Sequence, residues 1–167
     1  MKSFSRFLVS RRSFCLLAGL VFLWPRFALA QWPYAAPAST PDAQRNALGA
    51  LKSQANWFQN ATRTAGNLGA NGYGSVLQQF EMLRNSYAAL KQTLTPGQLA
   101  DGANALAELD AGLNIIQEAF ANYQSDVAAG RPVSAALNDM CQVLRQASQV
   151  WMQELNKTCS QLRVGRG

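Results

Sequence analysis

The side chains in this sequence with chemistry to offer are nine carboxylates, suited to proton transfer, and three thiols, suited to redox or nucleophilic work. Histidine is absent altogether. Its absence excludes a histidine-ligated metal, a Ser-His-Asp triad, a Cys-His dyad and a CxxCH haem attachment. Asp101, Glu108 and Asp110 are where an acid–base site would have to be sought. Glu108 and Asp110 are two positions apart, however, which on a helix turns them to different faces, and no acid pair stands three or four residues apart beside a nucleophile. There is no P-loop, no paired-glycine dinucleotide turn after a strand and no calcium-loop pattern. The expectation is a non-enzymatic protein without cofactor or metal.

Cys141 and Cys159 remain once a leader carrying Cys15 is removed. In an oxidising compartment two such thiols ordinarily pair. They lie 18 positions apart, which in one unbroken helix is five turns and about 27 Å, against roughly 4.4 to 6.8 Å between bridged Cα atoms. Three arrangements stay open: an internal disulfide if the helix breaks near Asn156-Lys157-Thr158, free or partner-linked thiols, and a doubly bridged antiparallel homodimer, since both sulfurs fall on one helix face.

The charge balance, 15 Lys+Arg against 9 Asp+Glu, invites a nucleic-acid reading. Placement removes it. Lys2, Arg6, Arg11, Arg12 and Arg26 all lie in the first 30 positions, where there is no acid, so ten bases face nine acids over the rest. Those ten are scattered, without the cluster a phosphate backbone requires. Asn60-Ala61-Thr62 and Asn156-Lys157-Thr158 match the glycosylation sequon, which in an exported bacterial chain is read as coincidence.

The early charges belong to a three-part export signal: a basic stretch ending at Arg11-Arg12, an apolar stretch from Phe14 to Trp24, and Ala28-Leu29-Ala30 as the cleavage site. Residues 1–30 are therefore expected to be removed, leaving no stable membrane span. Ser13 to Trp24 is well short of the ~20 apolar residues a spanning helix needs. Ser10-Arg11-Arg12-Ser13-Phe14 resembles the core of a twin-arginine signal, and Arg26 beside the cleavage site fits that route. Cys15 stands where that motif usually has leucine, so the general secretory route stays open beside it. The mature protein is placed in the periplasm or outside the cell, free or in an envelope or pilus assembly.

Residues 31–41 hold three prolines and no charge, and read as an extended arm in which Trp32 and Tyr34 are candidate contact residues. Residues 42–165 read as a helical bundle domain. Thr40 is placed to cap and Pro41 to open a helix. Leu48, Leu51, Ala55, Phe58, Thr62 and Ala65 then recur at steps of three and four, as far as Gly66. A glycine-rich loop with Tyr73 as a further candidate contact leads to a second helix near 75–94, carrying Val76, Phe80, Leu83, Tyr87, Leu90 and Leu94. The third stripe runs from Leu99 through Leu106, Leu109, Leu113, Ile116, Phe120 and Tyr123 to Val127, and is expected to be one rod with Gly102 and Gly112 marking close contacts or a bend. The fourth, near 134–162, puts Leu137, Cys141, Leu144, Ser148, Trp151, Leu155, Thr158 and Leu162 in heptad register, as in a coiled coil. No stretch alternates as a strand does. The expected fold is all-α: an elongated antiparallel bundle of about four helices with a proline-rich N-terminal arm.

The glutamine-rich amphipathic runs Val76-Leu77-Gln78-Gln79-Phe80-Glu81-Met82-Leu83 and Ala89-Leu90-Lys91-Gln92, in an exported all-helical chain, resemble the TrbJ-type conjugal-transfer proteins, minor pilus components of type IV secretion systems. The resemblance covers most of residues 42–130. It implies a long helical bundle with a smaller appendage, here the glycine-rich stretch 66–74, and a role at the pilus tip or in its assembly. It transfers no functional residue. The functional expectation is thus an exported protein acting through protein–protein contacts, a structural or assembly component of a secretion apparatus with protein partners in the envelope. The alternative is a periplasmic binding or chaperone-like helical module.

Overall fold

The computed structural model describes residues 39–166, and nearly all of them are helical: α1 is Pro41–Thr64, α2 Gly72–Thr93, α3 Pro96–Asp101, α4 Ala103–Ala128 and α5 Val133–Gln161, with a 3-10 segment, Ala65–Asn71, between α1 and α2. No strand occurs among the described residues. The chain is all-α. The leader residues Arg11, Arg12, Phe14, Ala28 and Ala30, and Trp32 and Tyr34 of the arm, lie outside the described residues.

Local chemistry sets the helix ends. The Thr40 hydroxyl accepts from the Ala43 amide at 3.2 Å, with Pro41 in the first turn and Asp42 in the positive end of the helix dipole. α4 closes in a Schellman turn, with Gly130 N donating to Val127 O and Arg131 N to Asp126 O, both at 3.0 Å. α5 closes the same way, Arg163 N to Ser160 O and Val164 N to Cys159 O. Here an arginine occupies the left-handed position that glycine favours, at φ 51°.

Two expectations change. The glycine-rich stretch is no open loop: it winds as a 3-10 segment that kinks at Gly69, and α2 already begins at Gly72. The third rod is two helices. Thr95-Pro96-Gly97-Gln98, which the sequence marks only as a stop, is also a start: Thr95 Oγ1 accepts from Gln98 N at 3.2 Å and Gln98 Oε1 accepts from Thr95 N at 2.9 Å, a complete capping box. The break falls at Gly102, where a Cβ would stand 2.6 Å from Leu162 Cδ1. With the register broken there, Leu99 is exposed rather than part of the core stripe. Gly112 is also a close contact, 2.8 Å from Trp151 Cδ1 to a notional Cβ, but α4 passes through it without interruption.

The apolar stripes meet in one core. Leu51, Phe58, Val76, Phe80, Leu83, Leu109, Ile116, Leu144 and Leu155 are all but inaccessible. Along α1 and α2 the partners run in opposite directions: Gln44 reaches Thr93, Gln54 reaches Gln79, and Phe58 packs on Phe80 with centroids 5.8 Å apart. α4 and α5 do likewise, with Trp151 Nε1 donating to Leu109 O at 2.9 Å and Gly102 against Leu162. Phe80 on Phe120, at 5.3 Å, joins α2 to α4.

One end of the molecule is tied by carboxamides. Gln44 Nε2 donates to Thr93 O at 3.0 Å and to Gln98 Oε1 at 2.8 Å, while Gln44 Oε1 accepts from Gly165 N at 2.8 Å. Gln98 Nε2 donates to Leu162 O at 2.9 Å. Arg45 supports the tail by donating to Gly165 O at 3.3 Å, so close that a Cβ on Gly165 (φ 72°) would stand 2.6 Å from Arg45 Cγ. Gln44 is 4% exposed, so water does not replace these bonds when they are lost.

Replacing Gln44 with leucine strands the Gly165 amide and leaves the Thr93 carbonyl with Ser39 alone and Gln98 Oε1 with the Thr95 amide alone, and is expected to lower stability by about 2 to 4 kcal/mol in urea unfolding followed by circular dichroism. Arg163→Gly works the other way: relief of the left-handed arginine, less the chain entropy of glycine, is expected to raise the urea midpoint by the equivalent of about 0.5 to 1 kcal/mol.

Candidate functional site

The two thiols do not pair. α5 is continuous from Val133 to Gln161, and Cys141 and Cys159 are both free and buried on its core face. The internal disulfide through a broken helix is therefore not formed, because nothing in the Asn156-Lys157-Thr158 run interrupts the backbone ladder. Cys141 and Cys159 are 4% and 8% exposed. Burial pushes both thiols above the ordinary range, Cys159 up to about 11.

Tyr73 lies in the first turn of α2 rather than in a loop, and its ring is turned inward. It stacks on Tyr123 with centroids 4.6 Å apart and planes 15° from parallel, and meets Phe120 edge-on at 5.9 Å. Its hydroxyl accepts from Gln124 Nε2 at 2.7 Å, and desolvation raises its phenol. Beside the turn into α5, Arg131 grips Asp126 at 2.5 Å and Asp139 at 2.7 Å, joining the end of α4 to the start of α5.

Of the three carboxylates where acid–base chemistry was sought, Asp110 lines a groove. This groove of about 450 Å³ runs between α2 and α4, with Glu81, Arg84, Asn85, Lys91 and Asn114 around it and Tyr87 beneath. Lys91 Nζ sits 2.9 and 3.1 Å from the Asp110 oxygens and 4.8 Å from the Tyr87 ring centroid. Arg84 faces Glu81 at 3.5 Å and lies over Phe80. The charges thus cancel in pairs along the groove, leaving a polar contact surface. Tyr87 cannot serve there as an acid or base near neutrality, because burial first, and the Asp110 carboxylate second, hold its phenol far above the ordinary range. Asp101 and Glu108 are exposed. Among the described residues no three of His, Cys, Asp and Glu are grouped as a metal site would need.

Large apolar residues that the sequence stripes pass over stand on the outside. Trp57 is 62% exposed, and Met82, Ile115, Val143 and Val150 are each close to half exposed. Their signal is legible afterwards. Trp57 precedes Phe58 by one residue, a rotation of about 100° off the core stripe. Val143 and Val150 precede Leu144 and Trp151 in the same way and are themselves seven apart, forming a second apolar row along α5 beside the buried one.

Compared with known family profiles, curated proteins and solved structures, the chain matches none.

The buried thiol and phenol give a pH dependence. Cys159 and Tyr87 ionise later in the folded chain than in the unfolded one, so the stability they confer is complete below the unfolded values of 9.0 and 10.0 and falls as pH rises past them. Urea midpoints under reducing conditions are expected to be level up to pH 9 and to drop between pH 9 and 11. In Cys159→Ala the first part of that drop is expected to shrink to what Cys141, also raised by burial, contributes, while the decline that begins near pH 10 remains.

Proposed function

We propose that the chain is an exported, non-enzymatic protein that works by protein–protein contact, as a structural or assembly component of a conjugation or type IV secretion apparatus. In this reading α1, α2, α4 and α5 form an elongated antiparallel bundle of about four helices, a rod roughly 40 Å long at 1.5 Å per residue, with α3 as a short connector. The observation that carries it is Trp57. A tryptophan 62% exposed on a helix whose core face is already filled is a large apolar surface with no partner among the described residues. Val143 and Val150 add a second apolar row on the α5 side. The faces between are mostly glutamine, asparagine, serine and alanine, with only 14% charged residues in the whole chain, a composition suited to lateral packing.

A second reading, a periplasmic binding or chaperone-like module, draws on the α2/α4 groove. Its paired charges and the exposed amides of Asn85 and Asn114 suit a small polar ligand better than an apolar client.

Fractionation of cells expressing the chain at native level separates the readings. Co-purification with pilus or channel subunits from the envelope is the expected result. Trp57→Ser is expected to weaken that association at least about tenfold while shifting the unfolding free energy by no more than about 0.5 kcal/mol, as for a surface substitution. A freely soluble monomer carrying a small ligand, with no envelope association, would transfer the assignment to the binding module.

A further inference from the structure

We propose that native folding and a Cys141–Cys159 disulfide are mutually exclusive in this chain, and that it is therefore exported already folded, by the twin-arginine route that its Arg11-Arg12-Ser13-Phe14 leader resembles. The second half rests on the export reading above; the first half stands on the geometry alone.

α5 holds the two cysteines 18 positions apart in an unbroken helix, about 27 Å at 1.5 Å per residue. A disulfide requires the Cα atoms within roughly 7 Å. Closing that distance means melting the turns between them, and those turns carry Leu144, Trp151 and Leu155, which are 0%, 3% and 1% exposed. Trp151 alone fills the space over Gly112, meets the Tyr87 ring edge-on at 5.5 Å and bonds the Leu109 carbonyl. The bridge thus removes α5's share of the core, and no local adjustment accommodates it.

The unfolded chain has no such restraint. A loop of this length closes in well under a millisecond, so bridging there is limited only by the chemistry. In that exchange the disulfide of a protein oxidant is attacked by one thiolate and displaced by the second; two protons leave the cysteines and two electrons pass to the oxidant, which departs as a dithiol. A chain threaded unfolded into an oxidising compartment meets such an oxidant with both thiols open and becomes trapped in a form that cannot build α5. A chain that folds in the reducing cytosol encloses both sulfurs first. Both are on the core face, and burial keeps them as thiols rather than reactive thiolates.

Two measurements test this. The full-length chain carrying Cys15→Ser, which leaves Cys141 and Cys159 as its two thiols, is unfolded in urea at low concentration and oxidised with glutathione disulfide until both are lost without added mass; the urea is then diluted away. The expected result is no cooperative melt until dithiothreitol is added, after which the native helical signal returns. A parallel sample of folded chain is expected to keep both thiols under the same oxidant. A bridged chain that regains the native signal and melt without reduction overturns the mutual exclusion, and the recovery on reduction shows that the sample was competent to fold. In cells, Arg11→Lys combined with Arg12→Lys is expected to lower the exported fraction at least about tenfold, with precursor collecting in the cytosol. Export of that variant at the wild-type level overturns the route. If the wild-type chain itself stays in the cytosol, the export reading and the route fall together, while the refolding result still decides the geometry.

Discussion

The carboxamide of Gln44 is the constraint on which the rest of the fold depends. From the second turn of α1 it bonds the last residue of α2, the side chain that caps α3, and the tail beyond α5. Apolar stripes are nondirectional and leave neighbouring helices free to slide by a turn. A buried amide with both hydrogens and its oxygen committed has one arrangement in which nothing is left unpaired. Gln98 doubles the restraint by serving its own helix start and the Leu162 carbonyl at once. Contacts elsewhere, such as Phe58 on Phe80 or Trp151 over Gly112, then fill the register that this end sets.

The same economy of charge governs the surface. Ion pairs among the described residues are mostly exposed, and several join residues within one turn of one helix, as in Arg84 with Glu81 and Lys157 with Glu154. Pairs of that kind contribute little to stability. They neutralise the faces instead, leaving amides, alanines and a few large apolar side chains exposed.

How much of this the sequence discloses depends on whether the signal is local and periodic. Thr40-Pro41-Asp42 states a helix start in three residues, Gly130-Arg131-Pro132 states a stop, and the three-four rhythm of Leu51, Ala55, Phe58 and Thr62 names the buried face of α1 without ambiguity. Thr95-Pro96-Gly97 is harder because it carries two messages, and the second depends on Gln98 folding back on Thr95. At Gly102 the glycine itself marks a close contact or a bend, but which neighbour it meets, Leu162 sixty positions away, no local pattern reveals. For the thiols the spacing already states the conflict with a bridge. What it lacks is any sign that Asn156-Lys157-Thr158 stays helical, because Thr158 is held by burial at 3% exposure rather than by its intrinsic preference. The site residues fare worst. Trp57 falls off the Leu51–Ala55–Phe58 stripe, but that position alone does not tell an exposed residue from one covered by a further helix; its 62% exposure is a property of what α1 packs against.

The tail beyond α5 returns to the start of α1. Ser39 bonds Thr93 O, and Gly165 bonds Gln44, itself bonded to that same carbonyl, so the first and last described residues lie together at the carboxamide end. Tyr73 and Arg131 occupy the far end. The body is polarised as a result. Ser39 and Gly165 share that end, so a force applied between them acts on the Gln44 bonds before it reaches the aromatic contacts around Tyr73.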